Sequence, residues 1–88
     1  MVYCFSYDLR KPGRNYDSLY GYLKSFASWC HALESDWFVV SDKTAAEVRD
    51  GALAHVDEGD GIVVTRATAG WATHGVSKEI NDWLRDSL

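Results

Sequence analysis

Trp29-Cys-His-Ala-Leu33, Glu34-Ser-Asp36 and Trp37-Phe-Val-Val40 decide how this chain folds. The first segment alternates with period two, Trp29, His31 and Leu33 on one side, as a half-buried strand does. Glu34-Ser-Asp36 has the composition of a tight turn, and Trp37–Val40 is a short apolar strand. Two strands this close in sequence are joined by a hairpin and run antiparallel. A parallel pair needs a crossover of a dozen or more residues. A three-layer α/β arrangement is therefore disfavoured.

Working outward towards the N-terminus, Val2-Tyr-Cys-Phe-Ser-Tyr-Asp8 is rich in aromatic and β-branched residues and reads as a first strand. Tyr3, Phe5 and Tyr7 share one of its faces; Val2, Cys4 and Ser6 share the other. Lys11-Pro-Gly13 breaks the pattern as a loop, after which Asn15 or Asp17 can cap a helix. Leu19, Tyr22, Leu23 and Phe26 follow at i, i+3, i+4 and i+7, the apolar stripe of that helix.

Working outward towards the C-terminus, Thr44 and Glu47 have the spacing of a capping box. The helix they open has Ala45, Val48, Ala52 and Val56 along its buried side. Asp57-Glu-Gly-Asp-Gly61 closes it as a turn, and Ile62-Val-Val-Thr65 is a fourth strand. Ser77 caps a last helix with Ile80, Trp83 and Leu84 on its apolar face. The order is βαββαβ plus a C-terminal helix. The expected fold is one α+β domain over residues 1–88, with a ferredoxin-like antiparallel sheet and helices on one face.

The 88 residues are 47% hydrophobic and 25% charged, an ordinary globular composition. Four Trp, five Tyr and three Phe are more aromatic surface than a small monomer easily hides, which favours a homodimer. No stretch is long enough to cross a bilayer, and the start reads as a strand rather than a signal peptide, so a cytoplasmic protein without a membrane partner is expected. Cys4 and Cys30 have no metal or redox spacing and read as buried reduced thiols. The formal net charge of −4 argues against strong non-specific binding of DNA or RNA. The charge is uneven, however. Residues 1–30 carry four cations against two acids, +2, whereas residues 31–88 carry five against eleven, −6. A polyanion site is thus expected beside the first loop.

Ser6-Tyr-Asp-Leu9, Lys11-Pro-Gly13, Tyr16, Leu19-Tyr20 and Leu23-Lys-Ser25 resemble the small SinR-like proteins of bacteria and phages. The likeness continues through Trp29, His31, Leu33, Ser35 and Trp37, then Val48-Arg-Asp50 and Gly70-Trp-Ala72. More distantly, a strand ending in Tyr-Asp before a basic loop and a helix is similar to the small CRISPR-associated endonuclease of the spacer-acquisition complex and to VapD-type ribonucleases. The resemblance implies a homodimer in which Asp8 from each subunit faces a divalent metal. Two features depart from that group. Leu9-Arg-Lys-Pro-Gly13 stands where further acidic and basic residues usually follow the Asp directly, and the tail reads as a helix rather than as a swapped fifth strand.

Asp8 is accordingly the candidate catalytic residue and metal ligand. A carboxylate and its symmetry mate can hold Mg²⁺, which keeps most of its waters and so activates one against a phosphodiester. The rival reading has Asp8 capping the loop or pairing with Arg10 or Arg14. Arg10, Lys11 and Arg14, next to a helix N-terminus, are candidates for phosphates, with Tyr7 and Tyr16 stacking on bases. A solvated basic loop would use the same residues. His31, His55 and His74 share no ligand spacing, Trp29 and Trp37 suit a core or a dimer interface, and Asp57, Glu58 and Asp60 lack the spacing of a calcium loop. The two functions consistent with this reading are a nucleic-acid-associated relative of metal-dependent ribonucleases, with RNA or DNA as partner, and a non-catalytic module whose acidic face binds a protein.

Overall fold

The computed structural model describes residues 1–88. The elements are β1 (Val2–Asp8), α1 (Asp17–Lys24), β2 (Ser28–Leu33), β3 (Asp36–Val40), α2 (Ala45–Ala52), a 3-10 turn (Leu53–His55), β4 (Gly61–Ala67) and α3 (Lys78–Ser87). The strands form one sheet in the order β2-β3-β1-β4, every neighbouring pair antiparallel. The molecule is thus a small α+β fold with a four-stranded antiparallel sheet. No helix is long and apolar enough to cross a membrane.

Register explains the core. Phe5 lies opposite Trp37 on one side and Val64 on the other, and Tyr3 lies opposite Val39. These side chains share one face of the sheet with Tyr7, and α1 and α2 cover it with Leu19, Leu23, Val48 and Ala52. Full burial of each large apolar side chain stabilises by about 1.5–3 kcal/mol. That face alone therefore carries most of the folding energy. The capping box of α2 is present, with Thr44 Oγ1 accepting from Glu47 N and Glu47 Oε1 accepting from Thr44 N. At α1, Asn15 Oδ1 accepts from Asp17 N at 2.8 Å.

The opposite face carries α3, capped by Ser77 as its sequence indicates. Leu84 is buried there beside Phe38, and Trp83 Nε1 donates to Ser28 Oγ at 2.9 Å. Two helices therefore lie on one side of the sheet and the third on the other. Cys4 and Cys30 are free thiols on strand positions of that second face, and burial pushes both thiol pKa values up.

Two local readings change. Helix α2 stops at Ala52, so Val56 reaches the core from beyond the 3-10 turn rather than from a helical stripe. Leu33 does not share a face with Trp29 and His31. A register shift between His31 and Leu33 puts Leu33 opposite Asp36 and turns it towards Phe38 and α3. An inserted residue in a ladder reverses the alternation beyond it.

Candidate functional site

β1 ends at Asp8, and beyond it Lys11-Pro12-Gly13, with Gly13 at φ 77°, turns the chain towards α1. The strand thus delivers Asp8 to the end of the sheet opposite Gly61, the first residue of β4. Its side chain is 70% exposed. Arg10 Nε donates to Asp8 Oδ2 at 2.9 Å, while Oδ1 makes no hydrogen bond. Arg10 also reaches across the chain, Nη1 donating to Gly59 O at 3.1 Å and its backbone N to Asp60 Oδ1 at 2.7 Å. With no side chain at Gly61, the guanidinium can lie against that backbone.

The other two loop cations meet the turn between α2 and β4. Arg14 Nη1 lies 3.1 Å from Asp57 Oδ2, and Lys11 Nζ lies 3.7 Å from Asp57 Oδ1. The Arg14 contact is Coulombic and poorly aligned, because Arg14 Nε and Asp57 Oδ2 are shielded from solvent without a hydrogen bond. Asp60 is better served. Its Oδ2 accepts from the Tyr16 hydroxyl and from Asp57 N, each at 2.8 Å. Desolvation alone would raise the Asp60 pKa, but the N–H groups of Arg10 and Asp57, the Tyr16 hydroxyl and Arg14 together hold it below its ordinary value.

All the residues singled out in the sequence thus gather at one end of the sheet, but not as a phosphate cradle. Asp8, Asp57, Glu58 and Asp60 outnumber Arg10, Lys11 and Arg14, and each of those cations is ion-paired. Tyr7 and Tyr16, expected to stack on bases, are both buried. Tyr7 donates to Glu34 O at 2.9 Å and accepts from Trp37 Nε1 at 3.2 Å, and Tyr16 is held by Asp60. Neither offers a free ring face. No three His, Cys, Asp or Glu side chains come together as a metal-holding group. Asp57, Glu58 and Asp60 form the turn read from their sequence, closed by Asp60 N donating to Asp57 O.

A second cluster was not legible as a site. Trp37 is buried, and the His31 ring lies on it with centroids 4.1 Å apart and planes within 12°. Trp29 leans against Trp37 at 5.5 Å, and Lys24 Nζ stands 5.6 Å above the Trp29 ring. Alternation along β2 does put Trp29 and His31 on one face, but their meeting with α1 depends on tertiary packing.

Comparison with protein-family models, with curated proteins and with solved structures finds no match to this chain. The class that fold and site define is a small antiparallel α+β domain whose sheet end is closed by an acid–base clamp.

Proposed function

We propose that this chain is a nucleic-acid-associated homodimer on the ferredoxin-like layout, related to the CRISPR-associated and VapD-type metal-dependent endoribonucleases, with hydrolysis at Asp8 lost. Counted from the β4 edge the strands run 4-1-3-2, with α1 and α2 on one face, which supports the ferredoxin-like assignment. The observation that carries the loss of hydrolysis is the Arg10–Asp8 pair. A guanidinium 2.9 Å from the carboxylate competes for the oxygen that would hold Mg²⁺ and repels the cation. The test is cleavage of short RNA and DNA with Mg²⁺ or Mn²⁺ by the native chain, Asp8→Ala and Arg10→Ala. No metal-dependent cleavage is expected from the native chain or Asp8→Ala, whereas Arg10→Ala, which frees the Asp8 carboxylate, should regain it. Cleavage by the native chain that vanishes in Asp8→Ala would reinstate a hydrolytic enzyme, with Mg²⁺ shared between the Asp8 residues of two subunits.

The second reading is a non-catalytic module that binds another protein through its acidic surface. It is favoured by the carboxylate excess at the end of the sheet and by the −6 balance after residue 30. Affinity capture separates the two. Recovery of nucleic acid that falls steeply with salt supports the first reading.

A further inference from the structure

Within the nucleic-acid reading, the cations of the β1–α1 loop are poor candidates for the contact, because each already faces a carboxylate. Of the cations in residues 1–30, Lys24 alone makes no ion pair, and it stands over the Trp29 ring at the β2 edge of the sheet. We propose that Trp29 and His31 form a stacking platform for a base of single-stranded nucleic acid, with Lys24 meeting the neighbouring phosphate. This rests on the nucleic-acid reading and moves the contact from the loop to β2.

Three features carry the proposal. The rings are accessible, Trp29 being 39% exposed and His31 exposed as well. They are also preorganised. His31 lies parallel on buried Trp37, and His31 Nε2 lies 3.2 Å from Glu34 O. Trp37 is in turn held by its hydrogen bond to Tyr7 and its near-parallel contact with Tyr20. Little rotamer freedom is left to lose when a base arrives. Finally, the pairing of exposed rings with an ammonium that makes no ion pair suits a chain that alternates flat bases with negative phosphates, an arriving base displacing Lys24 from the Trp29 face it now covers. Stacking of this kind tolerates any base, because every base has a π-face. β2 is an edge strand, so a ligand approaches from the side without displacing another strand.

The experiment measures binding of short labelled oligouridylate and oligothymidylate to the full chain by fluorescence anisotropy, over a salt series. Variants are Trp29→Ala, Trp29→Tyr, His31→Ala, Lys24→Ala and, as the loop comparison, Lys11→Ala. Trp29→Ala is expected to weaken binding roughly ten-fold, with Trp29→Tyr near native because a ring face is retained. Lys24→Ala should lower the slope of log affinity against log salt by about 0.7, the value for one phosphate contact on a single strand. Lys11→Ala should change neither. A preference for one of the two oligonucleotides names the better ligand, and its loss in Trp29→Ala supports the platform. Native affinity in Trp29→Ala and His31→Ala, with loss in Lys11→Ala, overturns the platform and leaves the nucleic-acid reading standing. No binding of either oligonucleotide by the native chain overturns both. A protein captured by the native chain and lost in Trp29→Ala, without oligonucleotide binding, assigns the face to protein recognition instead.

Discussion

The hydroxyl of Tyr16 donates to Oδ2 of Asp60 across 44 residues of sequence, at 2.8 Å. With Arg10 N on Oδ1 of the same carboxylate, this bond ties the β1–α1 loop to the turn before β4. The strand end that presents Asp8 is therefore fixed by a side chain from the far half of the chain.

Asp60→Ala should cost roughly 1–3 kcal/mol, since it strands donors from three residues that now share one charged acceptor. The pKa of Asp60 is depressed by folding, so its contribution is complete above the unfolded value and is lost as pH falls through the folded one. Urea midpoints measured from neutrality down to below about pH 4 should drop for the native chain, and by less for Asp60→Ala.

Asp57→Asn should leave stability within about 1 kcal/mol, because the Lys11 pair is solvated and the shielded Arg14 contact carries no hydrogen bond to lose, while Asn keeps an oxygen there. Lys11 and Arg14 would then face solvent unpaired. Retention on a heparin column should rise, and the gain should disappear at high salt.

Gly51→Ala should destabilise although it sits in helix α2, where Ala is intrinsically better by about 1 kcal/mol. A Cβ there would press into the Tyr22 ring, 2.9 Å from Cζ, and displace the hydroxyl that donates to Val48 O. Overpacking of this kind costs roughly 1–3 kcal/mol. Thermal unfolding should show the loss, and Gly51→Ala combined with Tyr22→Leu should remove part of it relative to Tyr22→Leu alone.

Trp37→Ala should be the most damaging of these changes, at roughly 3–5 kcal/mol, since it empties the centre of the core and removes the support of His31 and Trp29. Trp37→Phe keeps a ring but leaves the Tyr7 hydroxyl without its donor, and should cost less. Denaturant titration followed by far-UV circular dichroism orders the two.

Strand and helix order was legible because it rests on local rules. The alternation in β1, the Thr44–Glu47 box and the Ser77 cap each involve residues within a few positions of one another. Leu33 was misread because the irregularity between His31 and Leu33 has no local mark such as Gly or Pro. Asp8 and the three loop cations lie together at one end of the sheet, as neighbours along the chain must. The Asp8–Arg10 pair was legible as the rival reading of Asp8. The partners of Lys11 and Arg14 were not, since Asp57 lies more than forty residues further on.

The amino-acid sequence by itself determined which segments are strands and helices, which side of each is apolar, and where the caps fall, because those choices are made by neighbours along the chain. Tertiary structure alone decided that α3 lies across the sheet from α1 and α2, that Lys11 and Arg14 are spent on Asp57, and that His31 rests on Trp37. The physical reason is that charge pairing and ring stacking act through space over a few ångströms. They cannot be assigned until folding has set which distant residues come within that reach.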